Sequence, residues 1–110
     1  MRDSTFAWLV LAASVVAEVV GTIALRYADG FTRIFPSVLS GLCYSAAIWL
    51  MAIAVRHMEV GLTYAVWAGS GTALTAVLGM LWFGESASFL RLAGLSFIVL
   101  GVIALNLSAR

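Results

Sequence analysis

The stretch TFAWLVLAASVVAEVVGTIAL, residues 5–25, decides the fold class. A helix of this length spans about 30 Å at 1.5 Å per residue, which is the thickness of the hydrocarbon core of a bilayer. Its one charged residue is Glu18, which lies about 4–5 Å from the middle of the stretch along a helix axis. We therefore interpret the stretch as a transmembrane helix that contains a single carboxyl group.

A carboxyl group at this depth is expected to have a function. Insertion scales assign a cost of about 3 kcal/mol to an ionised group near the centre of a membrane helix. A purely structural hydrogen bond would not offset that cost. The low dielectric disfavours the charged form of Glu18, so the site can hold a proton or a cation, but not both. Such exclusivity is sufficient to couple a flux of protons to a flux of cations.

The composition of the whole chain agrees with a membrane protein. Of its 110 residues, 64% are hydrophobic and 10% are charged, and a soluble domain of this size could not bury so much apolar surface. The formal net charge is +1 and all six cations are scattered arginines, which excludes nucleic-acid binding. Cys43 is the sole cysteine and is interpreted as a buried thiol. His57 is the sole histidine, with no spacing typical of a metal site.

Four apolar segments predict four spans, at about residues 5–25, 36–55, 60–83 and 89–107. The predicted fold is an all-α membrane protein in which residues 1–110 form a single four-helix transmembrane domain. Because the connecting loops are short, successive helices are expected to be antiparallel neighbours. The first segment is too long for a signal peptide and is interrupted by Glu18, so we expect it to be retained.

The arginines predict no preferred orientation in the membrane. One side of a four-span topology would carry Arg2, Arg56 and Arg110, and the other would carry Arg26, Arg33 and Arg91. An equal split gives no bias under the positive-inside rule. Transporters often contain inverted repeats, and this chain has no convincing internal repeat. We therefore predict that two copies, inserted in opposite orientations, form the working unit.

Small and weakly polar residues surround Glu18 on the first helix. Ser14 and Thr22 lie four residues before and after it, and Gly21 lies three residues after it, so all share its face. We predict that Ser14 and Thr22 contact a ligand of Glu18. The alternative is that this stripe only packs helices together, as small residues commonly do in membranes.

Four aromatic residues are candidate contacts for an organic cation: Trp8, Tyr44, Tyr64 and Trp67. An aromatic face attracts a desolvated cation by about 2 kcal/mol, while a carboxylate balances its charge. Tyr64 and Trp67 are three residues apart and so are neighbours on one helix face. The alternative is an aromatic belt at the membrane surface, an interpretation that suits Trp8 equally well.

Glycines mark two further positions. Gly69 and Gly71 in the third span are interpreted as a hinge, with close helix packing as the alternative. Gly94 and Gly101 are seven residues apart in the fourth span, which places them on one face and predicts a helix–helix contact.

Together these motifs resemble the small multidrug resistance family of proton-coupled exporters, over nearly the whole chain. The matching stretches are AEVVGT (17–22), GFTR (30–33) with Pro36 and Ser37, YAxW (64–67) and GxG (69–71). The resemblance implies an antiparallel, dual-topology homodimer in a bacterial inner membrane, with a heterodimer of related chains as the alternative. In its shared chamber, the carboxylate matching Glu18 would bind substrate and protons in turn. It implies no cofactor and no enzymatic activity.

The resemblance also assigns roles to individual positions. Trp67, Tyr64 and Tyr44 match substrate contacts, and Trp8 stands where a tyrosine is common. The glycine pair of the fourth span, residues 94 and 101, matches the dimerisation motif of the family.

Two branches of the family share features with this chain. The quaternary-ammonium branch resembles it at Gly21, Thr22, Tyr44 and Asn106. The guanidinium-exporting branch usually has Trp where Gly21 stands and Lys where Asn106 stands. The stretches GESA (84–87) and RLA (91–93) are more similar to the guanidinium branch. We predict export of hydrophobic or quaternary ammonium cations, with guanidinium export as the alternative. A non-transporting membrane subunit is a further alternative, disfavoured by Glu18.

Overall fold

A computed structural model describes the backbone of residues 2–108 and the side chains of residues 5–108. This range contains four α-helices and no strand: α1 (Arg2–Tyr27), α2 (Ile34–Ala54), α3 (Val60–Trp82) and α4 (Phe89–Ser108). All four are long and apolar enough to cross a membrane. The predicted all-α membrane fold with four spans is therefore confirmed.

The ends of the helices follow from local chemistry. α2 begins at Ile34, two residues before the predicted span, and so includes Pro36 in its first turn. Proline is tolerated there because the first backbone N–H groups of a helix have no intrahelical partner. α3 ends at Trp82, and Gly84 follows in a left-handed conformation with φ of 68°. Glycine adopts this conformation at no steric cost and commonly terminates helices.

The helices pack unequally on one another. α1 has its most extensive contact with α2 and also packs on α3, whereas α4 packs mainly on α3. A small apolar core forms from Leu11, Ala54 and Val66, with Trp8 and Trp67 packed against it. Within its described residues, α4 has no buried side chain. Much of α4 is therefore available to lipid or to a second copy, and the antiparallel dimer stays a prediction.

Four of the arginines counted for orientation lie at the ends of helices. Arg26 is in the last turn of α1, Arg33 precedes α2, Arg56 follows α2, and Arg91 is in the first turn of α4. All four are exposed. Arg110 and the side chain of Arg2 lie outside the described residues, so their contribution to the equal split stays a prediction.

Candidate cation-binding site

Glu18 is brought by α1 to the midpoint of α3. Its Oε1 atom occupies the space that a Cβ at Gly71 would fill, and Gly71 is the central residue of the Val60–Trp82 helix. Any side chain at that position would overlap the carboxylate. Gly71 therefore gives Glu18 its place in the middle of the membrane-spanning region.

Two hydroxyl groups connect Glu18 to α2. The Oγ1 atom of Thr22 lies 3.1 Å from Oε2 of Glu18 and 2.9 Å from its backbone oxygen. The same Oγ1 lies 2.5 Å from the hydroxyl oxygen of Tyr44. Because a threonine hydroxyl has one proton, Tyr44 must donate to Thr22 whenever Thr22 donates to Glu18. The result is a chain of hydrogen bonds from α2 through α1 to the carboxylate.

Glu18 and Thr22 line a cavity of about 640 Å³ between α1 and α3. α3 contributes Thr72 and Thr75 to the lining, and Arg26 contributes from the end of α1. The two ion pairs found among the described residues involve Glu85, not Glu18. Glu18 is thus an intramembrane carboxylate that faces an open cavity without an arginine partner in the described part of the chain.

Ser14 does not join this site. Its side chain is fully buried between α1 and α2, where its hydroxyl donates to the backbone oxygen of Ala47 at 2.7 Å. The four-residue spacing places Ser14 and Glu18 on the same face of α1. One edge of that face packs on α2, where Ser14 lies, and the other edge packs on α3, where Glu18 lies. In the protomer Ser14 joins two helices, and its contact with a substrate stays a prediction.

The aromatic residues of α3 lie along the same face as Gly71. Tyr64, Trp67 and Gly71 are spaced at three and four residues, and the ring centroids of Tyr64 and Trp67 are 5.9 Å apart. Tyr64 is 58% exposed. The Nε1 atom of Trp67 is buried and has no hydrogen-bond partner among the described residues. Neither ring lines the Glu18 cavity of the single protomer.

Trp8 lies apart from Glu18. It lines a separate cavity of about 290 Å³ with residues that include Val66, Ser70 and Leu74. The structure therefore brings Thr22 and Tyr44 together with Glu18, places Trp67 one helical turn from Gly71, and leaves Trp8 elsewhere. The role of each as a substrate contact stays a prediction.

The predicted hinge and dimer glycines differ in their surroundings. A Cβ at Gly69 would lie 2.5 Å from Cγ2 of Val102, so Gly69 allows α4 to approach α3 closely. α3 is continuous through Gly69 and Gly71, and hinge bending there stays a prediction. Gly94 and Gly101 are exposed, and no described atom lies within 4 Å of a Cβ built at either one. Their place in a dimer contact likewise stays a prediction.

The sequence interpretation missed the far end of the cavity, where Gly79, Phe83 and Glu85 also line the wall. The sequence motifs assign Glu85 no place in a binding site. One signal was present: Gly71, Thr75 and Gly79 recur every four residues, which marks a small, weakly polar stripe along α3.

Comparisons with known proteins identify the family of this chain. The family model described as Small Multidrug Resistance protein matches residues 6–98. A guanidinium exporter of Escherichia coli (strain K12) is 42% identical over 101 residues, which cover 92% of this chain and 96% of the relative. The quaternary ammonium compound-resistance protein QacF of Klebsiella aerogenes is 39% identical over 103 residues, and these cover 94% of each chain.

The multidrug transporter EmrE of Escherichia coli (strain K12) is 35% identical over 103 residues, again covering 94% of each chain. Relatives with different named substrates thus align along almost the full length of this chain. The chain belongs to the small multidrug resistance family and is a multi-pass integral membrane exporter, not an enzyme.

Proposed function

We propose that the chain is a proton-coupled antiporter that exports hydrophobic or quaternary ammonium cations, with protons and cations competing for Glu18. The observation that carries this proposal is the position of Glu18, which faces an open cavity at the middle of α3 with no arginine among its described partners. A group in this setting favours a ligand that restores neutrality, either a proton or an organic cation.

Proton and cation exclude each other because they use the same oxygen atoms. Thr22 holds Oε2 through its hydroxyl, while Oε1 lies over the backbone of Gly71. A cation that binds the carboxylate must release its proton, and reprotonation must release the cation. Inward proton movement can then drive outward cation movement, provided the site is open to one side of the membrane at a time.

Two features support a hydrophobic or quaternary ammonium substrate. The cavity volume of about 640 Å³ falls within the range of about 300–1,000 Å³ that accommodates drug-sized ligands. The position where the guanidinium branch usually carries Trp is Gly21, which is buried here against α2. A Cβ at Gly21 would lie 3.1 Å from Cβ of Cys43, so this packing leaves no room for an indole ring.

Guanidinium export is the second candidate. Relatives named guanidinium exporters reach 39–42% identity, which is at least equal to that of the quaternary-ammonium relatives. The GESA stretch at residues 84–87 also favours that branch. Both candidates use Glu18 in the same way and differ only in the cation.

The proposed working unit is an antiparallel homodimer in the bacterial inner membrane, or a heterodimer with a related chain. Its support is the exposed face of α4 and the balance of arginines between the two sides. A second copy would also close the Glu18 cavity, which is open in the protomer.

Transport by purified protein in liposomes tests the proposal. Vesicles with an imposed pH gradient would be supplied with a quaternary ammonium dye or with guanidinium, using Glu18→Gln as the matched control. We expect the wild type to move the dye against its gradient and the control to move neither cation. Movement of guanidinium alone would select the second candidate. Equal transport by wild type and control would contradict the role of Glu18.

A further inference from the structure

The end of α3 folds a second carboxylate back over the cavity. The backbone N–H groups of Phe83 and Glu85 both donate to the backbone oxygen of Gly79 at 3.1 Å, with Gly84 in the left-handed conformation between them. This turn places the carboxylate of Glu85 against Gly79, where a Cβ would overlap Oε1 of Glu85. The position therefore depends on glycine at residues 79 and 84.

Glu18 and Glu85 thus occupy equivalent positions along α3. Each carboxylate lies where a glycine of α3 has no side chain, and Gly71 and Gly79 are about 12 Å apart along the helix axis at 1.5 Å per residue. Both carboxylates line the same cavity. Glu18 lies at mid-membrane depth. Glu85 lies at the end of the cavity nearest the C-terminus of α3, which we call the mouth of the cavity.

The mouth already holds a guanidinium group that belongs to the chain. The Cζ atom of Arg26 lies 4.7 Å from the centroid of the Phe83 ring, and its NH1 atom is 3.9 Å from Oε2 of Glu85. An aromatic face together with a carboxylate is the combination that binds guanidinium groups in proteins, through cation–π stacking and ion pairing. Arg26 therefore combines stacking on an aromatic face with an ion pair to a carboxylate.

Stability of the fold does not account for this arrangement. The carboxylate of Glu85 follows the negative end of the α3 dipole and precedes the positive end of the α4 dipole, so the two dipoles oppose each other at this position. The ion pairs of Glu85 with Arg26 and Arg91 are substantially exposed, with 44% of the Glu85 side-chain surface accessible. Exposed pairs of this kind add little to stability. Their position on the wall of the Glu18 cavity points to a role in handling cations.

We propose that Phe83 and Glu85 form an outer subsite for guanidinium-type cations at the mouth of the Glu18 cavity, and that Arg26 occupies this subsite until a substrate cation displaces it. The inference rests on the proposed cation antiport with the second candidate, guanidinium, as the transported cation. An incoming guanidinium ion exchanges with the guanidinium group of Arg26, then continues about 12 Å to Glu18. A bulky quaternary ammonium ion lacks the planar face and the N–H donors that this exchange uses.

Transport kinetics in liposomes test the exchange, with Arg91→Gln as the matched control. Arg91 also pairs with Glu85, at 3.7 Å, but it does not line the cavity. If Arg26 fills the subsite for about 70–90% of the time, Arg26→Gln should lower the KM for guanidinium roughly three- to tenfold. Glu85→Gln and Phe83→Leu should raise that KM and leave the rate at saturation near wild type. The KM for tetramethylammonium should change less in every variant.

The outcome that would overturn the subsite is an equal change of KM in Arg26→Gln and Arg91→Gln, since that result reflects only the loss of one positive charge near the mouth. Unchanged guanidinium KM in both Glu85→Gln and Phe83→Leu would overturn it as well.

A binding measurement separates the subsite from antiport itself. Arginine side-chain NMR signals of the Glu18→Gln protein would be followed while guanidinium chloride is added, with sodium chloride at equal concentration as the control for ionic strength. We expect a saturable change at Arg26 even in this variant, for which we predict no transport. If that change occurs while the wild type transports no cation, the result contradicts the proposed antiport and supports the subsite. If the wild type transports guanidinium and Arg26 responds equally to both salts, the result contradicts the subsite and supports the antiport.

Discussion

The carboxylate of Glu18 fills the space left by the missing side chain of Gly71, at the midpoint of α3. This contact joins the acidic residue of α1 to the helix that carries Tyr64 and Trp67. It also gives Gly71 a definite role, because no other residue leaves room for the carboxylate at that position. The proposed competition between protons and cations depends on this placement.

Substitution of Gly71 by alanine should displace the carboxylate. Displacement breaks the hydrogen bond between Thr22 and Glu18, and a hydrogen bond to a charged group contributes about 1.5–3 kcal/mol, so we expect cation affinity to fall about tenfold or more. Gly61→Ala is the matched control, because a Cβ at this position of α3 meets no described atom within 4 Å. Titration of purified protein with a quaternary ammonium ligand measures both variants. Equal affinities would show that the contact between Glu18 and Gly71 has no bearing on binding.

Removal of the hydroxyl group of Thr22 or of Tyr44 should weaken cation binding, because both groups belong to one chain of hydrogen bonds that ends at Glu18. A neutral hydrogen bond contributes about 1 kcal/mol net, so Tyr44→Phe and Thr22→Val should each reduce affinity about fivefold. The double variant should lose less than the sum, because Tyr44 acts through Thr22. Ser14→Ala is the control: it should lower stability and leave affinity unchanged, since Ser14 contacts Ala47. Strict additivity would contradict the hydrogen-bond chain.

Trp67→Ala should weaken binding of aromatic and quaternary cations more than it alters proton release from the protein. Loss of one desolvated cation–π contact is worth about 2 kcal/mol, or roughly thirtyfold in affinity. Ligand affinity and the pH midpoint of proton release would be compared in the same preparation, with thermal stability as the control for folding. An unchanged affinity for every cation tested would assign Trp67 to packing against Leu11 and Val66 alone.

The chain should insert in both orientations, and one added charge should decide between them. An extra Arg beside Asp29 and an extra Arg at the C-terminus should bias the chain in opposite directions. Each variant alone should lose transport, and co-expression of the two should restore it. Single-cysteine reporters in a background without Cys43, labelled from either side, measure the orientation. A single orientation of the unmodified chain with full transport would refute the antiparallel dimer.

The sequence predicted the four helices well, because length and hydrophobicity are sufficient to define a membrane span. It also predicted that Glu18 lies inside a span, where a carboxyl group is costly in any arrangement of helices; the role of Glu18 as a binding site stays a prediction. It could not separate Ser14 from Thr22, which are equally spaced from Glu18. Only the packing of α2 directs Ser14 to Ala47 and leaves Thr22 in the cavity.

Glu85 shows a different limit of the sequence. Its position in the sequence is that of an ordinary loop charge, and the one signal of a cavity nearby is the stripe of small residues along α3. Its placement depends on the left-handed turn at Gly84 and on the contact with Gly79, which arise together only when α3 ends. The partner Arg26 comes from α1, so the cluster is a product of tertiary packing.

Proton release on cation binding tests the central claim most directly. A quaternary ammonium cation would be added to purified, weakly buffered protein at a pH where Glu18 is protonated, and the pH change would be recorded for the wild type and for Glu18→Gln. We predict that the wild type releases protons in proportion to the cation bound, that this release diminishes as the starting pH rises, and that Glu18→Gln releases none. Cation binding by the wild type without proton release, or equal release by Glu18→Gln, would contradict competition at Glu18.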